Sequence, residues 1–154
     1  MKILIIKLGA LGDVIISTSI INKILDHHKK DDIQLLTTPP FVNLFKNKKN
    51  MTIVPFERHG LINLIKTIVW IRKKRFKKIY DLQSNDRSRI YCALSGVSFC
   101  AGNHPIFPYN IHPHNKYKGE CHAFERLNQI IIAAGVNPAQ PKASLPAPPK
   151  VISK

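Results

Sequence analysis

Residues 1–22 read MKILIIKLGALGDVIISTSIIN, and the fold class follows from how that stretch divides. Ile3 to Ile6 is an unbroken, β-branch-rich aliphatic run between Lys2 and Lys7. Runs of this kind form strands buried on both faces, which belong to parallel sheets covered by helices. Leu8 to Gly12 then brings two glycines, and Asp13 stands at the expected N-cap of the next segment. From Val14 to His28, the residues Val14, Ile15, Thr18, Ile21, Ile24 and Leu25 recur at helical spacing. Strand, glycine-bearing turn and helix make the opening of a Rossmann-like βαβ unit.

The alternation continues outward from there. Ile33 to Thr37 reads as a second strand, which Pro39-Pro40 stops before a short helical turn over Phe41–Phe45. Thr52 to Phe56 reads as a third strand. Leu61 to Arg75 reads as an amphipathic helix with Leu61, Leu64, Ile65, Ile68, Val69 and Ile71 inward and Lys66, Arg72, Lys73 and Lys74 outward. A fourth strand is expected over Lys78–Leu82, a helix over Arg87–Leu94 closed by Gly96, and a fifth strand over Val97–Ala101. A loop rich in His, Pro and Asn spans Gly102–Gly119, and a last helix spans Glu120–Ala134, stopped by Gly135. The class is α/β, a Rossmann-like, mainly parallel sheet with flanking helices. Residues 1–136 form the domain, and 137–154, with five prolines and no helical period, read as a linker or tail.

Composition narrows the function classes. The 154 residues include 24 Lys+Arg against 9 Asp+Glu, a net charge of +15, yet 44% are hydrophobic, which argues against a disordered polycation. So basic a chain is attracted to anions: nucleic acid, a phosphorylated glycolipid or an acidic membrane leaflet. Three cysteines with no CxxC pair give neither a disulfide framework nor a structural zinc finger. The apolar run after Lys2 is too short for a signal peptide. The stretch from Leu61 to Ile71 is interrupted by Asn63 and Lys66 and is too short to span a bilayer. A soluble, cytoplasmic chain is expected.

Two constellations stand where open α/β sheets place ligands, at the C-terminal ends of strands. The first is Gly9-Ala10-Leu11-Gly12-Asp13. It is either a backbone turn that admits a substrate with Asp13 aimed at it, or a tight turn with a capping aspartate. It lacks the GxGxxG pattern, and an acid at the helix start repels a pyrophosphate, which argues against a dinucleotide-binding dehydrogenase. The second is Asp81–Arg89, DLQSNDRSR. Gln83 and Ser84 fall at the strand edge, and Arg87 and Arg89 open a helix, where arginine can pair bidentately with carboxylate or phosphate. The same stretch also reads as a turn capped by Asn85 or Asp86 with solvated arginines. His112, His114, Cys121 and His122 have none of the strong zinc spacings, and no metal is expected.

Taken together, residues 1–22, the DLQSNDRSR turn, GNHP at Gly102–Pro105 with Phe107-Pro108-Tyr109, and HNKYKGECHAFERLNQIIIAAGV at 114–136 carry a resemblance. They resemble the amino-terminal half of bacterial lipopolysaccharide heptosyltransferases, glycosyltransferase family 9. The resemblance implies the GT-B architecture of two Rossmann-like domains facing a cleft. It implies metal-free, inverting transfer of heptose from ADP-heptose to the lipopolysaccharide inner core, with Asp13 as general base. An aspartate carboxylate is ionised at neutral pH, and taking the acceptor proton during attack is worth roughly 10²–10⁴-fold. Gly9, Gly12, Gln83, Ser84 and Arg87 become the candidate acceptor-binding residues. No cofactor is implied. The donor's nucleotide belongs to a carboxy-terminal domain expected to be missing here, so the isolated chain is expected to be inactive. The implied partners are the lipopolysaccharide core acceptor, that missing domain and, peripherally, the inner-membrane surface; no nucleic acid is expected. The family often has a proline where Ser19 stands. The rival expectations are a stand-alone basic module for nucleic acid or anionic lipid, and an inactive remnant.

Overall fold

A computed structural model describes residues 1–9, 11–46, 48, 50–57, 59–103, 105–113 and 123–140. Five strands, β1 (Lys2–Ile6), β2 (Asp32–Thr37), β3 (Met51–Pro55), β4 (Lys78–Asp81) and β5 (Phe99–Ala101), form one sheet in the order β3-β2-β1-β4-β5. Every pairing is parallel. The helices are α1 (Leu11–His27), α2 (Leu61–Lys74), α3 (Asp86–Leu94) and α4 (Ala123–Ala133), with a 3₁₀ helix over Pro39–Phe45. This is the Rossmann-like α/β fold that the alternation of elements implies.

The aliphatic run of β1 explains the layering. Successive side chains of a strand face opposite sides. Ile3 and Ile5 therefore join the core with Val14, Ile20, Ile24, Leu127, Ile130 and Ile131, under α1 and α4. Leu4 and Ile6 join the other core with Ile71, Phe76, Tyr91 and Cys92, under α2 and α3. A central strand buried on both faces has no polar position to spare.

Several boundaries differ from the sequence expectation. The first helix starts at Leu11, so Gly12 and Asp13 lie in its first turn and Asp13 is not the cap before it. An acid there still faces the positive end of the helix dipole. Pro39 and Pro40 do not precede the short helix but open it, since a missing N–H costs nothing in a first turn. β5 is shorter than expected because the Val97 N–H donates to Ser95 Oγ at 3.1 Å instead of entering the ladder. Asn85 caps α3 by a reciprocal box with Ser88. The outward placement of α2's aliphatic residues is a larger correction. Leu61, Ile65 and Val69 were expected inward, but they are exposed, and the helix rests on the sheet through Thr67 and Ile71 with Leu64 and Ile68. Ser19 is buried in α1 with no hydrogen-bond partner for its hydroxyl.

At the N-terminal end of the sheet, buried His28 lies between Asp31 (Nδ1···Oδ2, 2.9 Å) and Tyr80 (Nε2···Oη, 2.7 Å). Both contacts are satisfied by a neutral ring whose Nδ1–H donates to Asp31 and whose Nε2 accepts from the Tyr80 hydroxyl. Burial pushes the Tyr80 phenol up to about 12. Burial also lowers the His28 pKa, with Asp31 opposing, so the folded state binds the proton less readily than the unfolded chain. The stabilising contribution is thus complete above the ordinary histidine value of about 6.5 and is lost as pH falls through that value toward the lower folded one. The urea midpoint should drop between pH 7.5 and pH 5.5, and His28→Asn should flatten that drop; an unchanged slope in the variant would exclude His28 as the cause.

Candidate functional site

In an open parallel sheet, the crevice for ligands lies at the C-terminal edge where the strand order reverses. Here that point lies between β1 and β4, from which the chain proceeds outward in opposite directions. A cleft of about 180 Å³ occupies it, lined by Lys7, Asp13, Gln83, Ser84, Asn103 and Arg126 with apolar Leu82, Leu127 and Ile130.

The cleft is built on a buried carboxylate. Asp81 ends β4 fully buried, and its Oδ1 accepts from the backbone N–H of Gln83 (3.1 Å) and of Ser84 (2.8 Å). Its Oδ2 accepts from the Tyr109 hydroxyl and lies 3.8 Å from the Cys92 thiol. Burial raises the Asp81 pKa and these hydrogen bonds oppose the rise. Burial beside Asp81 likewise pushes the Tyr109 phenol far above its usual range. Gly102 makes room for that ring: a Cβ there would stand 2.4 Å from Tyr109 Cδ1.

The turn held by Asp81 then holds the opposite loop. Ser84 adopts a left-handed backbone with φ of 50°, uncommon outside glycine, and its Oγ donates to the Asp81 carbonyl and accepts from the Asn103 N–H. Gln83 Oε1 accepts from the N–H groups of Leu8 (3.0 Å) and Gly9 (3.3 Å), which ties the β4–α3 turn to the β1–α1 loop. Gly9 has φ of 149°, a setting that a Cβ makes costly. Thr38 braces the loop from its other side, donating to the Leu8 carbonyl at 2.8 Å.

Asp13 emerges from this braced loop on the first turn of α1 and is exposed toward the cleft. Apart from its chain neighbours and the backbone of its own helix, no atom lies within 4 Å of where a Cβ on Gly12 would stand, so nothing else in the fold covers that position. Lys7, only 4% exposed, donates to the Leu82 carbonyl at 3.4 Å. Burial lowers its pKa, opposed by the charges of Asp13 and Asp81, and Arg126 adds to the lowering. One exposed carboxylate thus shares a partly apolar cleft with exposed Arg126 and buried Lys7. The arrangement can bind a polar, anionic molecule and can accept a proton from it.

The expected site residues have different fates. Gly9, Gly12, Asp13, Gln83 and Ser84 converge on this edge, but the Gln83 oxygen and the Ser84 hydroxyl are engaged by the protein itself. Arg87 is not among the cleft residues. Its Nε donates to the Tyr91 hydroxyl (2.8 Å) and an Nη to the Gly60 carbonyl (3.2 Å), and its guanidinium lies 5.8 Å from the Tyr91 ring, so it braces α3 against the start of α2. Lys7, Asn103 and Arg126 were missed as cleft residues. A lysine closing an aliphatic strand was the available signal for Lys7; Asn103 and Arg126 reach the edge only through long-range packing. His114, Cys121 and His122 lie outside the described residues, as does 141–154 of the expected linker.

No protein-family model matches the sequence, and no curated protein matches it. Solved structures do share the fold. A family 9 glycosyl transferase from Veillonella parvula superposes with a TM-score of 0.74 at 17% identity, over 88% of this chain and 42% of its own. The Escherichia coli heptosyltransferase WaaC with ADP-2-deoxy-2-fluoro heptose gives 0.68 at 15% identity, over 93% and 51%. The E. coli ADP-heptose lipopolysaccharide heptosyltransferase II gives 0.55 at 21% identity, over 65% and 30%. The chain thus spans about half or less of the length of these structures.

Gln83→Leu should cost about 1–2 kcal/mol in urea unfolding, because two partly buried N–H groups lose their acceptor. Gln83→Glu, which keeps an acceptor oxygen, should recover most of that loss. Equal stability of Gln83→Leu and the parent would show that the tie between the two loops is not stabilising.

Proposed function

We propose that this chain is the N-terminal, acceptor-binding part of a GT-B glycosyltransferase that transfers heptose with inversion from ADP-heptose to the lipopolysaccharide inner core. The observation that carries the proposal is Asp13, exposed at the β1/β4 reversal in a cleft it shares with Lys7 and Arg126, in a fold shared with glycosyltransferase structures. In an inverting displacement, the acceptor oxygen attacks the anomeric carbon as the bond to the departing ADP breaks. The acceptor proton goes to the Asp13 carboxylate. Exposed Arg126 draws in the phosphates and sugar-acid carboxylates of the acceptor and holds them beside the base, and buried Lys7 adds positive potential from below. Gly9 and Gly12 give the acceptor close access to the backbone, with Gln83 and Ser84 shaping the edge. Arg87, whose guanidinium braces α3 against the start of α2, is not assigned to the acceptor.

The donor nucleotide is assigned to a domain outside these residues, in keeping with the partial coverage of the matched structures. The acceptor is lipid-anchored, so the reaction belongs at the cytoplasmic surface of the inner membrane. Among the described residues, no helix is long and apolar enough to cross a membrane.

Incubated alone with ADP-heptose and heptose-deficient lipopolysaccharide, the chain should release no ADP above background; turnover would place the donor site within it and contradict the two-domain proposal. Joined to a donor-binding domain of the same fold family, it should support transfer, and Asp13→Asn should reduce that transfer by roughly 10²–10⁴-fold. The amide keeps the size of the side chain while removing the proton acceptor, so the melting temperature should shift little. Near-normal turnover of Asp13→Asn would leave Asp13 a helix-start residue and nothing more.

A further inference from the structure

The outer face of α2 is unusual for a helix that covers a sheet. Leu61 and Ile62 are each 70% exposed, Ile65 53% and Val69 43%. At 100° per residue these four side chains fall within one arc of the helix surface. Exposed Lys66 and Lys73 border that arc on one side, exposed Arg72 falls inside it, and α2 contains no acidic residue. The apolar surface continues onto α3, where Ile90 and Leu94 are exposed and Arg72 Nε donates to the Leu94 carbonyl at 2.7 Å. A helix whose exposed apolar face carries lysines along one side and an arginine within it has the chemistry of one that lies in the interface of an anionic bilayer, its aliphatic side chains among the acyl chains and its cations at the headgroups.

We infer that the α2 face, extended by Ile90 and Leu94 of α3, docks this protein on a membrane surface rich in anionic lipid. A second copy is a poor occupant, since each chain carries a net charge of +15 and brings the same basic rim. The last described residues, 138–140, lie on the opposite face of the sheet, packed against α4, where the Ala139 N–H donates to Asn128 Oδ1 at 2.8 Å. Nucleic acid would engage the cations but leaves the exposed aliphatic arc uncovered. The Asp13 cleft lies beside α4, so a bilayer against α2 leaves it open. The inference rests on the proposed function for its setting at a membrane, while the surface chemistry stands on α2 itself.

The test is cosedimentation of the full chain with vesicles of phosphatidylcholine alone and of phosphatidylcholine with phosphatidylglycerol. Neither lipopolysaccharide nor donor is present, so the outcome does not depend on whether the chain takes part in sugar transfer. Binding is expected to the anionic vesicles only and to weaken with salt. Ile62→Gln/Ile65→Gln, at exposed positions and with an unchanged melting temperature, should weaken it about tenfold. Lys66→Gln/Lys73→Gln should weaken it as well. No binding by the parent chain overturns the inference. So does loss with the lysine pair while the isoleucine pair binds normally, because the face would then be a general polyanion site open to nucleic acid.

Discussion

A carboxylate buried at the end of a central strand costs several kilocalories unless every oxygen is engaged, and Asp81 meets that constraint by recruiting the turns at the C-terminal edge of the sheet. Its two oxygens hold the N–H groups of Gln83 and Ser84 and the hydroxyl of Tyr109. Those contacts fix the β4–α3 turn, place Ser84 in its left-handed conformation and bring the segment around Gly102 against the same edge. Gln83 passes the constraint across the sheet to Leu8 and Gly9. The loop that presents Asp13 is therefore positioned by β4 as much as by β1.

Division of labour within the cleft follows from that arrangement. Groups spent on the protein, such as the Gln83 oxygen and the Ser84 hydroxyl, give rigidity. Exposed Asp13 and Arg126 supply the charge that a ligand meets, with the buried Lys7 ammonium behind them. A charged side chain on a short loop keeps its place only when the backbone beside it cannot move. Two bracing interactions on one short loop, from Gln83 and from Thr38, serve that purpose.

Much of the fold was legible because it depends on local pattern. The Ile3–Ile6 run could only be a strand covered on both faces, and the alternation of strands and helices placed Asp13, Gln83 and Ser84 at one edge. What the sequence hid depends on distant partners. Asp81 reads as the polar end of a strand, and its burial is decided by Tyr109, 28 residues on. Arg87 was legible as a residue near a cap, but the reach of its guanidinium to the Gly60 carbonyl is set by the packing of α3 on α2. Gly12 reads as a turn residue, yet it lies inside the helix. For α2, a broad apolar face was legible, and periodicity could not say which part of it the sheet would cover.

The dependence of the Asp13 loop on Asp81 is tested most directly by amide hydrogen exchange in Tyr109→Phe, which removes one donor from the buried carboxylate and keeps the ring that fills the space beside Gly102. If Asp81 positions the edge through Gln83, exchange should quicken at Gln83 and Ser84 and also at Leu8 and Gly9 across the sheet, while Ile24 and other core amides of α1 keep their protection. Faster exchange confined to Gln83 and Ser84, with Leu8 and Gly9 unchanged, would contradict it.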